Sequence, residues 1–151
     1  MHHARIEPLV GDLRKYLGEN LETPDYFETY AHAMRLVLEN GGKKVKPETK
    51  EAILELMMKM LDSSENQSRL CSAGVVAAVI NHMDDSSEAL EPILNISGTD
   101  EEMASKLVCL GVLVKLKCQS IIDNPVLLNC LVVGAKSDEP IILEGTVLSY
   151  Q

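Results

Sequence analysis

Apolar residues fall three and four positions apart through long stretches of this chain, the spacing of one buried helical face. Leu9, Val10, Leu13, Tyr16 and Leu17 predict a first helix within residues 1–23, with Pro8 in its first turn. Thr23-Pro24 then reads as a helix start, and Phe27, Tyr30, Ala31, Met34, Val37 and Leu38 as the buried stripe of a second helix. Asn40-Gly41-Gly42 is read as its stop, on a left-handed glycine. Pro47 opens a third helix to about Leu61, with Ile53, Leu54, Met57, Met58 and Leu61 facing inward. Beyond it, one pattern recurs: an apolar residue, three residues, a glycine and a short apolar run. It starts at Leu70, Leu107 and Ile141, and from Gly74 to Gly111 is 37 residues, from Gly111 to Gly145 34. A recurrence of that period predicts stacked helical repeats.

The recurrence divides the chain. Residues 1–23 form an N-terminal helical segment, 24–62 a divergent first repeat, 63–98 and 99–136 two repeats, and 137–151 a half repeat. Within a unit the expected order is short helix, glycine corner, helix, turn, helix. The glycine at the corner lets two helix backbones meet steeply. Thus Glu65 to Ala73 and Val75 to Met83 read as separate helices, followed by Ser87 to Ile96, with Pro92 tolerated near its first turns. Ser97-Gly98-Thr99-Asp100 closes that unit, and Thr99 with Glu102 forms a capping box. The next unit reads as Glu101 to Leu110, Val112 to about Ser120, the turn Asp123-Asn124-Pro125, and Val126 to Ala135.

Composition narrows the class. The 151 residues suffice for one domain with a core, and aromatics make up only 3%, with no Trp and one Phe. The apolar supply of Leu, Val, Ile, Met and Ala suits helix packed on helix. A net charge of −9 lacks the basic face that a nucleic-acid binder needs. The runs Val75 to Ile80 and Val126 to Ala135 fall well short of the roughly 20 residues of a membrane span. No signal peptide is visible after Met1. Together these readings exclude nucleic-acid and membrane partners and favour the cytoplasm. Cys71, Cys109, Cys118 and Cys130 sit in apolar helical context without a CxxC pair, so they read as small buried residues in a reducing compartment, with no metal and no disulfide framework.

The segments Asn66-Gln67-Ser68-Arg69-Leu70-Cys71-Ser72-Ala73-Gly74-Val75-Val76-Ala77-Ala78-Val79-Ile80 and Ala89-Leu90-Glu91-Pro92-Ile93-Leu94-Asn95-Ile96-Ser97 carry a family resemblance. They resemble the armadillo (or HEAT-like) repeat, whose pattern runs Asn-Gln…Leu-x-x-Ala-Gly-x-Val-x-x-Leu-Val…Ala-Leu-x-x-Leu-x-Asn-Leu-Ser. The resemblance spans residues 24–148 and is strongest over 65–118. It implies an all-α fold, a right-handed α-solenoid or armadillo-like superhelix. About two full repeats would stand between N-terminal helices and a C-terminal half repeat. It also implies protein–protein interaction, with the third helices lining a concave face. Glu55, Lys59, Glu91 and Asn95 would line that face and bind a protein or peptide segment. Asn95 holds the family's Asn position, and Lys59 is its equivalent in the preceding helix. In the following helix the position falls at Asn129 or Val133, and Asn129 is the candidate. The family's Asn–Trp ladder is absent, since the chain has no Trp.

Nothing in the sequence nominates catalysis or a cofactor. There is no nucleophile elbow, and Gly41-Gly42-Lys43-Lys44 lacks the residues and the preceding strand of a phosphate loop. His82 before Asp84-Asp85 reads as a helix C-terminus followed by a solvated turn. His32 carries no assigned role. Met57 and Met58 read mainly as core and Met60 as the exposed member of the cluster, and Lys43, Lys44 and Lys46 read as a solvated basic loop. Ile142, Val147, Leu148 and Tyr150 would leave an apolar end uncovered. That end predicts a fragment of a longer protein, end-to-end self-association, or a seat against another subunit. The leading function is an interaction scaffold or adaptor. The alternatives are a structural subunit of a cytoskeletal or axonemal assembly, and a regulatory armadillo-like region of a larger signalling protein.

Overall fold

The helices fall into two rows. The computed structural model describes residues 3–149, and every regular element among them is helical. The elements are α1 (His3–Glu19), α2 (Pro24–Gly41), α3 (Pro47–Met58), α4 (Asn66–Asn81), α5 (Ser87–Leu94), α6 (Asp100–Lys115), α7 (Gln119–Ile122), α8 (Leu127–Ala135) and α9 (Pro140–Ser149), with a 3-10 turn at Gly42–Lys44. Helices α2, α4, α6 and α9 form the first row, each packed along the next. Helices α1, α3, α5 and α8 form the second row and pack mainly onto the first. Contacts confined to neighbouring units are the mark of an α-solenoid, the fold class the sequence predicts.

Most helix starts follow local chemistry. Pro24 and Pro47 occupy the first turns of α2 and α3, where a missing N–H goes unnoticed. Thr99 Oγ1 accepts the Glu102 N–H at 3.1 Å and opens α6. Asp85 Oδ1 accepts both the backbone N–H (3.1 Å) and the hydroxyl (2.7 Å) of Ser87, which opens α5. Gly98, with φ +104, makes the turn between α5 and α6, a conformation that favours glycine. Pro8 and Pro92, by contrast, lie inside α1 and α5 rather than in their first turns.

The glycine corners are not corners. Gly74 lies in the middle of the continuous helix α4, Gly111 inside the continuous helix α6, and Gly145 within α9. The predicted first and second helices of each unit are therefore fused through the glycine. The reason is close approach rather than backbone freedom. A Cβ on Gly145 would sit 2.7 Å from the Ala104 carbonyl oxygen and 3.0 Å from its Cα, on the neighbouring helix of the row. A Cβ on Gly74 would sit 2.7 Å from Arg35 Nη1 on α2. The stop at Gly41-Gly42 also differs: Gly42 has φ −58, and the chain tightens into the 3-10 turn instead of turning left-handed.

The first row holds much of the core. From Ser68 to Ile80, all of α4 except Leu70 and Cys71 is buried, which is why it shows no polar face. Phe27, Met34, Leu38, Ile53, Met57, Leu61, Ile93, Leu107, Leu110 and Leu113 complete the interior. In α1, Val10, Leu13 and Leu17 are buried, whereas Leu9 and Tyr16 turn outward; Tyr16 rests on Tyr30 with ring centroids 5.2 Å apart. Ile142, expected at an uncovered end, is buried. Tyr150 and the side chains of Val147 and Leu148 lie outside the described residues.

Two buried lysines join the rows. Lys50 of α3 donates to the His82 carbonyl, just past α4, at 2.6 Å. Lys106 of α6 donates to the Asn95 and Ser97 carbonyls, just past α5, at 2.9 and 3.3 Å, and pairs with Glu102 at 3.3 Å. Each ammonium meets backbone carbonyls just past a helix end, where the negative end of the helix dipole favours a cation.

Candidate functional site

The short helix α5 places two of the predicted partner-binding residues in one groove. Glu91 and Asn95, four residues apart, lie on the same helical side and are exposed. Together with Asp84, Asp85, Ser87, Leu90 and Leu94 they line an open groove of about 540 Å³, closed on its far side by Ser120, Asn124 and Val126. Its floor is apolar and its charged residues are all acidic. One wall is α5, and the other is Ser120 of α7 with Asn124 and Val126 of the turn that follows it. Asn95 follows the last residue of α5, where its backbone carbonyl is held by Lys106 while its side chain stays exposed.

The other predicted residues lie apart from this groove. Lys59 follows the last residue of α3, as Asn95 follows the last residue of α5. It lines a different groove of about 610 Å³, with Leu21, Glu22, Pro24, Met60, Ser63, Ser64 and Glu65. Glu55 on α3 and Asn129 on α8 are exposed and line neither groove. Asn129 is the third residue of α8, near the start of its helix rather than the end, so Lys59, Asn95 and Asn129 occupy no common helical position.

The basic loop is exposed at Lys43, Lys44 and Lys46. Lys43 and Lys44 border a cavity of about 380 Å³ with Ile6, Glu39, Asn40 and His82. Burial, then Lys50 and Lys43, push the His82 imidazole below its usual pKa against the opposing pull of Glu39. Cys109, Cys118 and Cys130 are buried free thiols, and Cys71 is half-buried. The Cys71 thiol comes to Glu28 and His32 of α2, a grouping absent from the sequence reading. The four-residue spacing of Glu28 and His32 was visible in the chain, but the approach of Cys71 needs the packing of α4 on α2.

The family of stalled ribosome sensor GCN1-like HEAT repeats matches residues 7–138. The chain belongs to this family. Its helices agree with that membership, since a HEAT unit has two helices where an armadillo unit has three. The stalled ribosome sensor GCN1 of Mus musculus is 26% identical over 104 residues, and that of Homo sapiens 28% over 102. Each alignment covers 65% of this chain and 4% of the relative, so the chain matches a small segment of those much longer proteins. No solved structure matches the chain. The family is named for its repeats, not for a reaction, and the comparisons lend no support to a cytoskeletal or axonemal role. No helix among the described residues is long and apolar enough to cross a membrane.

Proposed function

We propose that this HEAT-repeat chain is a protein-interaction module that holds a basic, partly apolar segment of a partner in the groove along α5. The observation that carries the reading is the lining of that groove. Asp84, Asp85 and Glu91 supply negative charge around an apolar floor of Leu90, Leu94 and Val126, and Asn95 offers a donor and an acceptor at one end. The relatives are named as sensors of stalled ribosomes, which directs the proposal to a cytoplasmic, ribosome-linked assembly. An acidic chain suits a lysine- and arginine-rich protein segment there better than an RNA backbone. Glu55, Lys59 and Asn129 extend the contact surface outside the groove in this reading.

Co-sedimentation with purified ribosomes tests it. The wild-type chain should travel with the ribosomal fraction at low salt and be released as salt screens the contact. Glu91→Lys combined with Asn95→Ala should weaken that association at least tenfold while thermal stability stays unchanged. Undiminished co-sedimentation of the double variant would remove the groove from the binding surface.

A further inference from the structure

We infer that Glu28, His32 and Cys71 form a binding site for one zinc-class divalent cation between α2 and α4. Glu28 and His32 stand four residues apart on α2 and so share one face of the helix. Cys71 reaches the same point from α4, which packs along α2. One donor atom from each residue lies within 4.8 Å of the other two, and Cys71 Sγ is 3.8 Å from Glu28 Oε2. Zinc holds sulfur at about 2.3 Å and nitrogen or oxygen at about 2.0–2.2 Å, which in a tetrahedron sets donors roughly 3.3–3.8 Å apart. Small side-chain adjustments close the remaining gap.

The donor set selects the class of ion. One thiolate, one imidazole and one carboxylate suit a borderline-soft cation better than magnesium or calcium, which take oxygen. The three residues border a small cavity of about 200 Å³, also lined by Ala31, Arg35, Gln67 and Leu70, with room for a water as fourth ligand. No other such group of three donors converges among the described residues.

The charges balance on binding. Burial first, then Glu28, push the Cys71 thiol up to about 12, so without a cation the sulfur keeps its proton, shared toward Glu28. The cation displaces that proton, the S–H bond gives way to a sulfur–metal bond, and the proton leaves to solvent. Thiolate and carboxylate then neutralise the divalent charge. The nearby Arg35 guanidinium is occupied by Glu39 at 2.8 Å. A cation here would tie α2 to α4 and stabilise the folded chain by mass action.

Cobalt(II) titration of the full chain is the test. We expect one cobalt per chain, a near-ultraviolet thiolate-to-cobalt charge-transfer band, its loss on adding equimolar zinc, and a melting temperature raised by zinc. Cys71→Ser should abolish the band, and His32→Ala should weaken cobalt binding at least tenfold, with far-ultraviolet circular dichroism unchanged in both. No charge-transfer band, a band undiminished in Cys71→Ser, or unaltered affinity in His32→Ala would each overturn the site.

Discussion

Helices α4 and α8 are both rich in apolar residues, yet they have opposite fates. In α4 the residues from Val75 to Ile80 are all buried, whereas in α8 only Cys130 and Gly134 are, and Leu128 is 68% exposed. The difference lies in the row. Helix α4 is covered by α2, α3 and α6, whereas α8 touches only α6 and α9 substantially. Local hydrophobicity thus supplies the means of burial, and a helix's place in the stack decides how much is used.

A charge placed in each helix is the harshest trial of that contrast. Ile80→Asp buries an unpaired carboxylate among core residues and should cost more than about 4 kcal/mol, leaving the chain largely unfolded. Leu128→Asp should shift stability by no more than about 0.5 kcal/mol. Urea denaturation measures both, and comparable losses would erase the distinction between the rows.

A finer trial compares two glycines of the first row. Gly145→Ala drives a methyl into the Ala104 backbone, which cannot step aside, and should cost about 2 kcal/mol. Gly74→Ala meets only the far end of the Arg35 side chain. Its gain in helix propensity, up to about 1 kcal/mol, should leave it neutral or stabilising. Thermal denaturation of the pair decides whether backbone contact, rather than glycine as such, fixes the row.

The fastening between rows is weaker still. Lys106→Met leaves the Ser97 carbonyl without its donor and the Asn95 carbonyl with the Ser97 N–H alone, and should cost about 1–2 kcal/mol, with the loss greatest in hydrogen-exchange protection of α5. The smallest effect comes from His82. Its folded pKa lies below the unfolded value, so the unfolded chain binds the proton more readily. Stability should be complete above about pH 6.5 and decline as pH falls through and below that value, a slope that His82→Gln flattens. Equilibrium unfolding across that range reads the effect.

The helix starts were legible because each is a short-range bond or a ring constraint. Pro24, Pro47 and the Thr99–Glu102 pair needed no knowledge of the fold. The buried stripe of α2 was legible for the same reason, as Phe27, Ala31, Met34 and Leu38 repeat within one helix. The glycines were misread because a corner and a close helix contact demand the same missing Cβ, and only the neighbouring helix tells them apart. Lys50 and Lys106 were illegible as buried groups, since their acceptors are backbone carbonyls, and Lys50 reaches 32 residues along the chain. Of the candidate surface, Glu91 and Asn95 were within reach of sequence because Glu91 sits on one short helix and Asn95 directly follows it. The walls supplied by Ser120, Asn124 and Val126 depend on how α7 and α8 return to the stack.

The seating of α9 on α6 has a consequence for how such a chain changes over generations. The chain leaves the first row after Lys115 and rejoins it at Pro140, and Gly145 settles directly on Ala104 whatever path is taken between. The exposed turn between Lys136 and Glu139 is therefore a place where residues can be inserted with little penalty, since doubling a loop costs only about 0.6 kcal/mol. New length arriving there would redraw the outer surface while the stack beneath kept its step.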